Sequence, residues 1–133
     1  MTVSAPLIVQ IVLGWPPPEL NPNAHVGWRV KAPLIASYRD ACKVDALTAR
    51  RAYELRGVTF PMAAPMTMIV AFFLPSLNKR TDLMNLYSAF KAGEDGLVDA
   101  GIIQDDRISV VDRVTLAVER GEPAIRVRLE GGS

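Results

Sequence analysis

The sequence predicts a single α+β domain, a small mixed sheet packed on two helices in the order β-α-β-α-β-β, and three observations carry that expectation. Short apolar runs at residues 7–13 and 66–74 have the length of strands. Two longer stretches, residues 34–55 and 82–100, repeat their apolar residues at spacings near three and four, as amphipathic helices do. With 133 residues, half of them apolar, the chain can bury one core, roughly 65–70% of its unfolded surface, but not two.

Taken in order, Val9, Ile11 and Leu13 alternate with less uniform partners across Leu7 to Leu13, and the β-branched content favours a strand over a short helix. Trp15-Pro16-Pro17-Pro18 stops it, because proline cannot donate to a ladder. Residues 16–33, punctuated by Asn21-Pro22-Asn23 and Pro33, are expected to form a long irregular connection, and long loops in compact domains tend to be functional. From Leu34 to Leu55, the residues Ile35, Tyr38, Cys42, Ala49 and Tyr53 mark the apolar stripe of a helix whose outer face is basic. Met66 to Leu74 is uniformly apolar between Pro65 and Pro75 and reads as a buried strand, followed by a loop containing Asn78-Lys79-Arg80.

The second helix is expected from Asp82 to Ala100, on a stripe of Leu83, Leu86, Tyr87, Phe90, Leu97 and Val98. Asp82 suits its N-terminus, where a carboxylate meets unpaired amides, and Gly101 its stop. After a turn at Asp105-Asp106, Ser109 to Glu119 and Ala124 to Glu130 are expected as two strands joined through Gly121-Glu122-Pro123, residues suited to a hairpin loop. The terminal Gly131-Gly132-Ser133 is expected to fray.

Composition narrows the function. Cys42 is the single cysteine, so neither an intrachain disulfide nor a thiolate zinc cluster can form, which fits a reducing compartment. No basic residue precedes the apolar run at Leu7 to Leu13, Gln10 interrupts it, and it is far short of a membrane span. The expected location is the cytoplasm, with no membrane partner and no organic cofactor. A net charge of +1 hides an asymmetry: residues 1–80 carry nine basic and four acidic side chains, a net +5, while residues 81–133 carry a net −4. Such a division suits a basic surface for phosphates beside an acidic pocket for metal.

The candidate chemistry lies in residues 79–106, KRTDLMNLYSAFKAGEDGLVDAGIIQDD, which hold Asp82, Glu94, Asp95, Asp99, Asp105 and Asp106 together with Lys91. Two carboxylates about 4 Å apart repel by roughly 4 kcal/mol at an effective dielectric near 20, so such a group converges only around a cation. Oxygen ligands select Mg2+, or Mn2+. Helical geometry places Met84, Ser88, Lys91 and Asp95 on one face, with Asp82 at the mouth of the same helix. In an extended backbone Asp105 and Asp106 point opposite ways, so one of them is expected to bind metal and the other to support it. Taken singly, each of these acids is also an ordinary surface residue, and Lys91 can make an i,i+4 pair with Asp95.

Several motifs recur together over nearly the whole chain: Trp15-Pro16-Pro17, Tyr38-Arg39, Asp82-Leu83-Met84-Asn85-Leu86, then Lys91-Ala92, Asp95, Leu97, Ala100-Gly101 and Asp105-Asp106. In this order and spacing the chain resembles the RusA family of Holliday junction resolvases. Two departures stand out. The second acid of the family's D-x-D pair would align with Met84, and a thioether cannot replace a hard oxygen ligand. About three extra residues, close to one helical turn, also separate the Asn85-Leu86 run from Lys91. The pattern D-x-x-N-L-Y, K-A and D-G-L-V-D-A-G is similar to the branch found in actinobacterial phages and prophages.

The resemblance implies a RusA-like fold and a homodimer that presents two metal sites to opposed strands of a four-way junction, resolving it by paired nicks. It implies Asp82, Lys91 and Asp106 as catalytic residues, with the metal held by Asp82 and Asp106 and the missing ligand supplied by Asp95 or Asp105. Lys91 is then expected to stabilise charge developing on the phosphate. Expected DNA contacts are Asn23 and His25 in the proline-rich loop, Arg29, Lys31, Arg39, Lys79 and Arg80 at phosphates, and Asn85 at metal or phosphate. Trp15 and Trp28 can stack on bases or pack in the core, Cys42 is expected to pack, and Arg50 and Arg51 to be solvated. Nucleases for flaps share the same chemistry. A dimeric branched-DNA-binding protein that has lost catalysis is the alternative that Met84 suggests.

Overall fold

A computed structural model describes residues 6–77, 81–105 and 107–131. The chain forms strand β1 (Leu7–Leu13), two short 3-10 turns at Pro18–Leu20 and Pro22–Ala24, and helix α1 (Trp28–Glu54). Strand β2 (Met66–Leu74), helix α2 (Leu83–Asp99) and strands β3 (Val111–Arg120) and β4 (Ala124–Gly131) complete it. The α+β order expected from the sequence is the order observed, and a four-stranded mixed sheet packs against both helices.

The helix-facing side of the sheet is set by alternation. Val9, Ile11 and Leu13 of β1, Met66, Met68, Val70 and Phe72 of β2, and Ile125, Val127 and Leu129 of β4 are all buried. Tyr38, Cys42 and Ala46 from α1 and Phe90 and Leu97 from α2 close the core over them. Phe72 lies at its centre, edge-to-face with Trp15 at 6.1 Å and with Phe90 at 6.2 Å between ring centroids. Trp15 therefore packs against the core, partly buried. Tyr38 donates its hydroxyl to the carbonyl of Gly14 at 2.7 Å, anchoring α1 to the end of β1.

Two expectations about connection are corrected. The irregular segment ends at Gly27, not at residue 33, because α1 begins at Trp28 and runs through Pro33. Proline's fixed φ is itself helical, so near the start of a long helix it removes a single backbone bond, that to the carbonyl of Arg29, without ending the helix. The second correction concerns the last two strands, which do not pair with each other. The sheet order is β1-β4-β2-β3, with β2 antiparallel to β4 and parallel to β3. Gly121-Glu122-Pro123 instead crosses the end of β2, where the amide of Gly121 donates to the carbonyl of Leu74 at 2.9 Å. Two strand spacings are about 10 Å, within the reach of three extended residues. Burial explains the choice: β4 alternates strictly and belongs inside the sheet, whereas residues 112–115 of β3 are exposed and belong at its edge.

Helix α2 ends as Gly101 foretells. Gly101 has φ 72°, its amide bonds to the carbonyl of Val98 at 2.9 Å, and that of Ile102 bonds to Leu97 at 3.0 Å, a Schellman motif with Leu97 and Ile102 both fully buried. Arg50 of α1 donates to the carbonyl of Ala100 at 3.0 Å and lies over the ring of Phe60, so it caps α2 rather than being merely solvated. No helix among the described residues is long and apolar enough to cross a membrane.

Candidate active site

Helix α2 positions most of the candidate side chains. Asp82 is its N-cap: one carboxylate oxygen accepts from the amides of Met84 at 2.9 Å and Asn85 at 3.1 Å, which orients the carboxylate at the positive end of the helix. Beside it is a hollow of about 240 Å³ lined by Asp82, Asn85, Asn21, Asn23 and Thr81. Asn21 accepts from the amide of Asn23 at 2.9 Å, so the second 3-10 turn is fixed by its own cap. His25 ends that turn, exposed and in the left-handed region at φ 50°.

A second hollow, of about 410 Å³, opens further along α2 and contains Ser88, Lys91, Asp95 and, from α1, Lys31. Ser88, Lys91 and Asp95 thus share a face as their spacing requires, while Met84 is exposed. Alternate residues of one turn wall the two hollows: Asn21 and Asn23 line the first, Leu20 and Pro22 the second.

Lys91 does not rest on Asp95. Its ammonium forms an ion pair with Glu94, which is 2% exposed, and the other carboxylate oxygen of Glu94 accepts from the hydroxyl of Tyr87 at 3.0 Å. A buried carboxylate therefore holds a lysine that reaches the rim of the larger hollow. The sequence contained the signal for Glu94: it lies four residues after Phe90 and three before Leu97, on the apolar stripe, where an acid must find a partner.

Other acids are engaged elsewhere. Asp99 accepts two hydrogen bonds from Arg39, at 2.6 and 2.8 Å, and this contact holds its carboxyl below the usual carboxylate range while raising the guanidinium. Arg39 thereby joins α1 to the last turn of α2. Asp105 accepts from the amide of Arg107 at 2.8 Å, closing a turn. Burial pushes the thiol of Cys42 up to about 11, in keeping with a packing role. Arg29 and Trp28 are exposed at the start of α1, Trp28 at 71%.

Lys79, Arg80 and Asp106 lie outside the described residues. Among the described residues no three acidic, histidine or cysteine side chains gather as a metal-binding group, and Asp82 and Asp95 line different hollows. In kind, the donors beside Asp82, one carboxylate and three carboxamides, are hard oxygen ligands that fit Mg2+ or Mn2+.

No family model matches this chain. Over 97 residues it is 31% identical to an uncharacterized protein of Xylella fastidiosa (strain Temecula1 / ATCC 700964), a match that covers 73% of this chain and 60% of that protein. The chain spans about 60% of the length of that relative.

Proposed function

We propose that the protein is a RusA-like, metal-dependent endonuclease that resolves four-way DNA junctions by paired nicks, acting as a homodimer in the cytoplasm. The observation that carries this reading is the flank of α2, which sets Asp82 and its carboxamides in one hollow and Lys31, Ser88, Lys91 and Asp95 in the next. Oxygen donors for a cation thus lie along the same helix as cations for a phosphate, the pairing that phosphodiester hydrolysis needs.

Asp82, with Asp106 and Asp105, would hold the metal, and its carboxylate is already oriented by two backbone amides; Asp95 lies about 19 Å further along the same helix, too far to reach the same ion. When bound, Mg2+ supplies Lewis acidity and lowers the pKa of water. Lys91, tethered by Glu94, stabilises charge developing on the phosphate. Lys31, Arg29 and the exposed Trp28 extend the phosphate and base contacts along α1.

Single-turnover cleavage of a labelled four-way junction by Asp82→Asn and Lys91→Ala tests these roles. Both variants are expected to bind the junction and to cleave at least about a hundredfold more slowly, the scale of losing one stabiliser of transition-state charge. Unchanged rates in both would remove the assignment. A second reading, a junction-binding protein without catalysis, is favoured by exposed Met84 at the position of a family acid. It predicts tight, magnesium-independent binding and no cleavage by the native chain.

A further inference from the structure

The two edges of the sheet are treated differently. At the β1 edge the hydroxyl of Tyr53, from α1, accepts from the amide of Gln10 at 2.9 Å and occupies the middle of the strand. At the other edge, β3 runs ten residues with no strand beyond it among the described residues, and it contains neither lysine nor proline. A long uncovered edge is a template for pairing unless something blocks it.

The residues of β3 fit a second copy of themselves. The amide of Gly121 points toward β2, so by alternation those of Arg113, Thr115, Ala117 and Glu119 do as well, and those of Val114, Leu116, Val118 and Arg120 point outward. If two copies of β3 lie antiparallel with Leu116 opposite Leu116, the outward-pointing residues meet one another and the hydrogen bonds are satisfied. Val114 then faces Val118 and Arg113 faces Glu119, while Asp112 lies in a bulge at the start of the strand, outside this alternation. Centring the two-fold on Val114, Thr115, Ala117 or Val118 destroys this charge match. In the single chain the side chains of Asp112, Arg113 and Arg120 have no ion-pair partner among the described residues, and Glu119 reaches only Arg126, at 3.3 Å.

We propose that β3 is the dimer interface of this protein, pairing antiparallel with β3 of a second copy about a two-fold axis at Leu116, so that two four-stranded sheets become one of eight strands. The axis is isologous, as a closed dimer requires. This deepens the homodimer named in the functional reading, but it rests on the strand and not on catalysis. A dimer that cleaves nothing would leave it standing, and a cleaving dimer indifferent to changes in β3 would overturn it alone.

The test is the oligomeric state by sedimentation velocity of the native chain, Arg113→Glu and Glu119→Arg, with circular dichroism to confirm folding. The native chain is expected to be a dimer. Each variant alone sets like charges opposite each other twice and is expected to dissociate at least about tenfold more readily. Mixed in equal amounts, the two variants restore opposite charges at both matched positions of a mixed pair, with their order exchanged in one of the two, and dimers are expected to return. A native monomer, variants as dimeric as the native chain, or a mixture that stays monomeric would each overturn the proposal.

Discussion

Glu94 occupies a position on α2 where the helix pattern requires an apolar side chain, and its burial is tolerable only because Tyr87 and Lys91 meet both carboxylate oxygens. Removing the lysine charge should leave a buried carboxylate short of a partner. Lys91→Met is expected to cost about 1–3 kcal/mol in urea denaturation. Adding Glu94→Gln should recover part of that loss, because the uncharged amide tolerates burial better. Costs that simply add in the double variant would show the pair to be uncoupled. Asp82 was legible as a helix cap because an acid before an apolar repeat has a local signature. The partners of Glu94 and the Arg39–Asp99 contact were not, since sequence spacing assigns Lys91 equally well to Asp95 and says nothing of a contact 60 residues apart.

At the scale of elements, periodicity located both helices and β1, an uninterrupted apolar run located β2, and turn residues bounded β3 and β4, while errors arose where backbone chemistry and packing disagree. Pro33 reads as a breaker in sequence yet sits inside α1. Gly96 shows the reverse case, a residue poor in helix propensity that packing demands. A Cβ there would lie 2.7 Å from the carbonyl oxygen of Arg39 and 3.0 Å from the amide nitrogen of Lys43, both backbone atoms of α1. Gly96→Ala is therefore expected to destabilise the fold by about 1–3 kcal/mol, as overpacking does, despite alanine's better propensity. A thermal melt in which this variant is as stable as the native chain, or more so, would contradict the close approach of the two helices.

For the whole molecule, composition and element order were enough to predict one α+β domain, but not the path of the last two strands. The three residues between β3 and β4 have hairpin chemistry, and only the burial of complete strands decides that β2 lies between them. That arrangement leaves β3 at an edge, which is what makes a two-fold pairing available. The proposed cleavage of branched DNA rests on the charge asymmetry of the sequence and on one flank of α2, with Asp82 at its mouth and Lys91 above a buried acid.

The most direct measurement is incubation of the native protein with a labelled synthetic four-way junction and its matched linear duplex, in Mg2+ and in EDTA. Paired, symmetrically placed nicks are expected in the junction alone, absent in EDTA. Binding of the junction with no cleavage in Mg2+ or Mn2+ would contradict the proposed cleavage.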